Sequence, residues 1–225
     1  MKVRNMLAAA SLLLLLPGCA IHDLIRTFAG PSVKGSGKLA TQSRSVSAFH
    51  AVNIAGVGRL ILTQAHRNSV SITADGNLQP YLSAQVRGGV LYLASKPRTR
   101  FITKHAILYE VSATKLDGLT ATGAVEVIGS NVVGKTLQVQ MDGACKMWLQ
   151  GSVPVTDVNL AGACKYDGSR LGSDTATVSV SGAGDATVDA SKTLNASVAG
   201  VGKIRYIGNP TVHSSITGIG EVKHL

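Results

Sequence analysis

The stretch SGAGDATVDASKTLNASVAGVGKI, residues 181–204, holds two copies of one short phrase. Each copy has a small residue, a glycine, an apolar residue, usually a glycine or cysteine, and then a charge. The leading glycines of the later copies, from Gly123 to Gly218, recur at intervals of about 18–20 residues. A fixed period of about 20 residues with strand-like content predicts a solenoid in which each repeat is one turn. The phrase reads AGVGRL (55–60), TGAVEV (122–127), DGACKM (142–147), AGACKY (161–166), SGAGDA (181–186), AGVGKI (199–204) and TGIGEV (217–222).

Apolar residues precede the repeat glycines at fixed positions. They lie two and four positions before each glycine and alternate with polar residues such as Gln140 and Asn159. This alternation predicts strands with one buried face, and the glycine predicts a corner that needs a positive φ or a close approach of two backbones. We therefore predict an all-β fold, a single-stranded parallel β-helix or β-solenoid. The apolar positions are Leu119, Val139, Met141, Val158, Leu160, Val178, Val180, Val198 and Ile216.

Two parts of the chain differ in regularity. Residues 119–225 carry the regular repeats of about 18–20 residues, whereas residues 38–118 show strand signals without a period. Gly88-Gly89 between two apolar runs indicates a hairpin or a sharp corner. We expect residues 38–118 to form irregular coils or an antiparallel cap, because an uncovered coil presents unpaired backbone groups.

The N-terminus has the features of an export signal. Lys2 and Arg4 precede an apolar run at 7–16 that is short for a membrane span. The run ends in LPGC, which resembles the lipobox of bacterial lipoproteins and predicts cleavage after residues 1–18 and diacylglycerol on Cys19. A signal peptide without lipid, or an uncleaved anchor, are the alternatives.

Lipidation of Cys19 predicts a protein held on a membrane, because acyl chains contribute about 0.8 kcal/mol per buried methylene. Residues 19–37 then form a lipidated tether, and the domain occupies 38–225. By analogy with enteric lipoproteins, Ala20 after the cysteine favours the outer membrane and so a cell-envelope location.

The net charge is +10 for the whole chain, and +8 without the two basic residues of the signal. A basic exported protein is attracted to anionic surfaces such as acidic glycans or envelope phosphates. General solubility is an equally good reason for the charge. Nucleic acid is not expected as a partner of an exported chain.

Cys145 and Cys164 hold the same position in consecutive repeats. Stacked coils lie about 4.8 Å apart, which is within the range that a disulfide accepts. A bridge in an oxidising compartment and a pair of stacked free thiols are both consistent with the sequence.

A charge lies three positions after the leading glycine of every copy. In stacked coils these side chains form an exposed ladder with mostly opposite neighbours, and mixed signs favour a solubility ladder over a binding stripe. The residues are Arg59, Glu126, Lys146, Lys165, Asp185, Lys203 and Glu221.

The SGAG-like phrases, KIRYIGNP (203–210) and the closing SITGIGEV resemble the GIN-domain family of bacterial exported proteins, also called the auto-transporter adhesin head domain. SVSAFHAVNIAGVGRLILTQ, VSITAD and GGVLYLAS fit its N-terminal pattern in the same order. The resemblance covers about residues 38–225. It implies a right-handed parallel β-helix and export, often as a lipoprotein, with no established catalytic residues.

Two segments match nucleotide and calcium motifs by letter. Residues 129–136 fit a Walker A pattern, but the segment that follows alternates as a strand and not as a helix. Residues 182–189 resemble a calcium-binding nonapeptide, but Lys165 and Lys203 stand at the equivalent positions of the neighbouring repeats. We expect no cofactor and no metal.

The densest unusual feature is KPRTRFITKH at 96–105, where basic residues surround one aromatic residue. This loop is a candidate clamp for a phosphate or a carboxylated sugar, and a solvated loop is the alternative. Its basic residues are Lys96, Arg98, Arg100, Lys104 and His105.

These observations predict an envelope lipoprotein with a non-catalytic binding, adhesion or scaffold domain. One alternative is a carbohydrate-active β-helix enzyme, a polysaccharide lyase or hydrolase, although the acidic residues are scattered and form no clean pair. Another is a structural protein that self-associates, since only the basic residues Lys223 and His224 would keep the edge of the C-terminal coil from pairing with another copy.

Overall fold

The computed structural model describes residues 32–225, and strands make up most of this part of the chain. A short 3-10 helix, Gly76–Tyr81, interrupts them. The strands are β1 (Ser32–Lys34), β2 (Leu39–Arg44), β3 (Ala51–Gln64), β4 (Ser69–Asp75), β5 (Leu82–Arg87), β6 (Val90–Ser95), β7 (Arg100–Ile102), β8 (Leu108–Ala113), β9 (Gly118–Val133), β10 (Thr136–Gly143), β11 (Lys146–Ser152), β12 (Val155–Gly162), β13 (Lys165–Val180), β14 (Ala183–Val198), β15 (Val201–Ile207), β16 (Thr211–Ile216) and β17 (Ile219–His224).

The regular part is a stack of coils joined by two parallel ladders. The first ladder runs through the first half of β9, then β10, β12, the second halves of β13 and β14, and β16. The second ladder runs through the second half of β9, then β11, the first halves of β13 and β14, β15 and β17. Strand β3 pairs along both halves of β9 and starts the stack. The predicted all-β solenoid is confirmed.

The core lies between the two ladders. The apolar residues before the glycines are buried as the alternation predicts, with Met141 and Val178 fully enclosed. The second ladder adds Met147, Tyr166 and Ile204 from the opposite side. Each such buried side chain contributes roughly 1.5–3 kcal/mol, so the thin core is built from many branched residues and few rings.

The leading glycines form a column at the corner between the ladders. Gly143 and Gly162 have φ of 102° and 89°, whereas Gly182 lies outside the left-handed region. A Cβ atom on Gly162 would stand 2.5 Å from the carbonyl oxygen of Gly143, and one on Gly182 would stand 2.5 Å from the nitrogen of Gly162. Both predicted reasons for glycine apply: close approach runs along the column, and positive φ holds only in its earlier coils.

The repeat charges form the predicted ladder. Strand register places Lys165 beside Asp185, Asp185 beside Lys203, and Lys203 beside Glu221. Lys203 Nζ lies 3.3 Å from Glu221 Oε1, and these side chains are half exposed. Exposed pairs of this kind are worth about 0–1 kcal/mol each, so the ladder mainly keeps this face polar and in register.

The N-terminal part covers one end of the solenoid, as expected. β2 pairs antiparallel with β4, and β4 pairs antiparallel with β8, which is itself parallel to β3. β5 and β6 form an antiparallel hairpin whose turn is Gly88-Gly89, with φ of 57° and 77°. Gln79, which is 2% exposed, donates from its amide to the carbonyls of Ala40 and Ile72 and ties the helical turn to the cap.

The predicted signal peptide (1–18), the lipidated Cys19 and the tether up to residue 31 lie outside the described residues. Residues 32–34 fall within the predicted tether, but they form β1 and pair in parallel with β7. The folded part therefore begins before Lys38, because Ser32–Lys34 add a strand to the basic loop. Within residues 32–225 no helix is long and apolar enough to cross a membrane.

A candidate ligand-binding cleft

A cleft of about 570 Å³ lies between the corner of the first coil and the basic loop. The coil contributes the phrase AGVG at 55–58, and the loop contributes residues from Ser95 to Ile107. The sequence singled out both segments but did not place them together. The cleft is lined by Ala55, Gly56, Val57, Gly58, Ser95, Thr99, Arg100, Phe101, Thr103, Lys104, His105, Ala106 and Ile107.

The C-terminal end of the loop is hydrogen-bonded directly to the backbone of the first coil. The Arg59 N–H donates to the Ile107 carbonyl at 2.9 Å. A Cβ atom on Gly58 would lie 2.9 Å from that same carbonyl, so the missing side chain lets the two backbones approach. In its middle the loop forms β7, and the N–H of Gly35 donates to the carbonyl of Ile102 at 2.9 Å. These backbone hydrogen bonds hold the loop in place, so it forms an ordered wall of the cleft.

A buried carboxylate anchors the loop from below. Asp75 is 1% exposed, and its carboxylate accepts hydrogen bonds from Thr103 Oγ1 at 2.6 Å and His105 Nδ1 at 2.9 Å. The hydrogen bond from Thr103, and next the one from His105, lower the pKa of Asp75 below its ordinary value. A buried ionised carboxylate needs such donors, so the network fixes Thr103 and His105 in the cleft wall.

The structure divides the five basic residues of the predicted anion-binding loop into two groups. Arg100, Lys104 and His105 line the cleft. Lys96 instead extends over the ring of Tyr81, with its Nζ 5.4 Å from the ring centroid. Arg98 is exposed at a loop corner with φ of 59° and does not line the cleft.

Arg100 and Lys104 are both exposed, and neither forms an ion pair with a carboxylate of residues 32–225. His105 differs, because its ring is hydrogen-bonded to the carboxylate of Asp75. The cleft therefore presents two uncommitted cations beside an ordered wall. Such cations bind phosphate or carboxylate groups through charge-assisted hydrogen bonds.

The rest of the cleft is largely apolar. Val57 is 69% exposed, and Phe101 and Ile107 line the same cleft. Sequence reasoning missed Val57, Gly58, Thr103 and Asp75 as parts of this site. One signal was available: the first two copies of the phrase are separated by several repeat lengths, so the insertion that breaks the period must fold back against the first copy.

The remaining candidate sites have no matching geometry. Thr136, at the end of the Walker-like segment, begins strand β10 and no helix. Asp185 lies between Lys165 and Lys203 in the second ladder. Among the described residues, no group of three His, Cys, Asp or Glu side chains is placed to hold a metal ion.

Cys145 and Cys164 point into the core, 1% and 4% exposed, and no disulfide joins them in the structure. Their Sγ atoms lie 3.3 Å and 3.2 Å from the backbone carbonyls of Asp142 and Ala161. Burial raises the pKa of Cys145, which disfavours the reactive thiolate. The predicted bridge between them stays a prediction.

The family model described as "Putative auto-transporter adhesin, head GIN domain" matches residues 48–210. The chain belongs to this GIN-domain family. The match spans both the cleft and most of the regular coils, and it confirms the resemblance seen in the sequence. No curated protein matches the chain.

Solved structures share the fold of this GIN-domain protein. A "putative adhesin" from Bacteroides fragilis NCTC 9343 aligns with a TM-score of 0.73 at 21% identity, covering 86% of this chain and 100% of that one. A "putative lipid binding protein" from Parabacteroides distasonis ATCC 8503 has a TM-score of 0.57 at 19% identity, over 87% and 100%. A "putative adhesin" from Parabacteroides merdae ATCC 43184 has a TM-score of 0.51 at 20% identity, over 86% and 99%.

Proposed function

We propose that this protein is a lipid-anchored envelope protein whose cleft binds an anionic group of an envelope glycan or glycolipid without catalysis. The family's description as an adhesin head and the adhesins among the structural neighbours support a binding role at the cell envelope. The lipobox-like LPGC supports the anchor at Cys19. A neighbour described as lipid-binding is compatible with a ligand that has an apolar part.

One observation carries the proposal. Arg100 and Lys104 line an apolar cleft of about 570 Å³ and have no carboxylate partner among residues 32–225. A phosphate or uronate group fits against these cations, while a sugar face or an acyl carbon packs on Val57 and Phe101. Clefts of roughly 300–1,000 Å³ with a few polar groups are typical small-molecule sites.

The enzymatic alternative is less well supported. Glycoside hydrolases use two carboxyl groups roughly 5–9.5 Å apart across the scissile bond. No Asp or Glu is among the cleft-lining residues, and the nearby Asp75 is buried behind Thr103 and His105. The family and two of the three structural neighbours are described as adhesins, and the third is described as a lipid binding protein.

The binding test compares charge-matched variants by calorimetric titration with oligogalacturonate and, separately, with vesicles containing an anionic phospholipid. Arg100→Ala and Lys104→Ala should each weaken binding about 10- to 150-fold, since a hydrogen bond to a charged group is worth about 1.5–3 kcal/mol. Lys96→Ala and Arg98→Ala remove the same charge from the same loop outside the cleft and should change binding less than about threefold. The arm that shows the difference identifies the source of the anionic group.

Equal weakening of binding by all four substitutions would show that the loop acts only through its net charge, and it would refute the cleft as the binding site. New reducing or unsaturated ends in the oligogalacturonate arm, lost on one acidic substitution, would instead establish the enzyme. The anchor is tested independently: the wild-type protein should incorporate labelled palmitate, and Cys19→Ala should incorporate none. Equal incorporation by that variant would refute lipidation at Cys19.

A further inference from the structure

The two ends of the solenoid differ in how they are finished. The N-terminal end is covered by the antiparallel strands β2 and β4. At the other end, the outer edges of β16 and β17 pair with no strand of residues 32–225. The last coil also exposes apolar side chains, with Ile219 78% and Leu225 60% exposed.

An unpaired strand edge is a template for another strand, and proteins usually protect it with charge, bulges or a cover. The paired edge of β17 extends by one residue, because the Leu225 N–H donates to the Tyr206 carbonyl and continues the second ladder. The exposed backbone groups and apolar side chains of this edge therefore offer a template on which another strand can pair.

The sequence of this edge is complementary to itself. Register with β15 shows that Ile219, Glu221 and Lys223 share the outward face with Leu225, whereas Val222 faces inward. Antiparallel pairing about a two-fold axis at Val222 places Glu221 opposite Lys223 of the second copy. The same axis places Ile219 opposite Leu225 of the second copy. Opposite charges and apolar pairs in such positions each stabilise a sheet.

Other registers lose this match. An axis at Glu221 or at Lys223 places that residue opposite its own copy and brings like charges together, which is destabilising. An axis between two residues pairs inward positions with outward ones, which breaks the alternation of both copies. The axis at Val222 is thus favoured on both grounds.

We propose that the C-terminal coil is a homodimer interface in which β17 pairs antiparallel with β17 of a second copy. A two-fold axis perpendicular to the stack reverses every strand of the coil, so β16 meets its own copy antiparallel as well. The contact is isologous and closes at two chains, so this pairing does not extend into open-ended polymers. This interface is at the opposite end of the stack from the cap and goes beyond ligand binding in the cleft.

Charge reversal of the full chain tests this interface, with sedimentation velocity in a mild detergent as the readout. Glu221→Lys and Lys223→Glu should each weaken the dimer about tenfold or more, because each places like charges opposite one another twice. The double variant E221K/K223E restores opposite charges and should restore the dimer. Lys165→Glu reverses a charge of the same ladder inside the stack and should leave the dimer unchanged.

Position-specific cross-linking covers the case in which a reversal only disturbs folding. With the full chain in bacterial envelopes, Val222→Cys should give a covalent dimer on mild oxidation, since the proposed register pairs the two copies of residue 222 directly opposite each other at the axis. Val201→Cys, one coil further in, should give none. A monomer at all concentrations, an unrestored double variant that is still folded by circular dichroism, or equal cross-linking at both positions would overturn the proposal.

Discussion

Replacing Gly162 by alanine adds only one methyl group, but it should strongly lower the free energy of unfolding of the solenoid. Its φ of 89° costs an L-residue about 1–2 kcal/mol. Its new Cβ atom would stand 2.5 Å from the Gly143 carbonyl oxygen and 2.7 Å from the Gly143 nitrogen. Backbone must move to relieve this contact, at about 1–3 kcal/mol. We expect Gly162→Ala to lower the free energy of unfolding by about 2–5 kcal/mol.

Two other glycines separate these causes. Gly88 has φ of 57° with no atom within 4 Å of a Cβ, so Gly88→Ala should show the conformational cost alone. Gly182 is outside the left-handed region but lies against the backbone of Gly162, so Gly182→Ala should show the contact cost alone. The two losses should add to about that of Gly162→Ala if the coils behave independently.

Thermal unfolding followed by circular dichroism measures all three variants. At about 2–4 °C per kcal/mol for a domain of this size, Gly162→Ala should lower Tm by roughly 4–20 °C. If Gly162→Ala and Gly88→Ala lower Tm equally, the close approach of the coils contributes nothing, which would refute this role of the glycine column.

Three further outcomes follow from the site and the core. The folded-state pKa of Asp75 is below its ordinary value of 3.8, so the stability that this carboxylate contributes is present above that pH and is lost as the pH falls. Asp75→Asn should therefore lower Tm at pH 7 and make Tm fall less steeply below about pH 4. If Tm of the variant falls as steeply as that of the wild type, this role of Asp75 is contradicted. Val57→Trp should fill the cleft and abolish binding of whichever of the two anionic ligands the titration identifies, whereas Val201→Trp, in the identical phrase AGVG near the other end, should not. Equal affinities of the two variants would disprove the location of the site. Cys145 and Cys164 should react with a thiol reagent only after unfolding, and no reaction even then without reductant would show the predicted bridge.

The regular half of the fold could be predicted because its information is local and periodic. The glycine spacing, the alternation before it and the Gly88-Gly89 hairpin each follow from the geometry of neighbouring residues. The orientation of Cys145 could not be predicted, since the corner at Gly143 changes the phase of the alternation. In the structure this side chain points inward beside Met147.

The cleft could be predicted only in part. The sequence identified Arg100 and Lys104 as candidate anion contacts, but it grouped them with Lys96, which lies over an aromatic ring instead. The contact of Asp75 with His105 joins two distant positions in a region without a repeat. No period links such positions, so only the folded chain shows which side chains share the cleft.

The central claim is that an anionic ligand occupies the cleft between the first coil and the basic loop. Hydrogen exchange of the full chain, with and without oligogalacturonate or anionic vesicles, tests it most directly. We predict that one of these ligands slows exchange at residues 55–58 and 95–107 and leaves residues 136–198 unchanged. Slowed exchange confined to the charged ladder of the coils, or none anywhere with either ligand, would contradict the account.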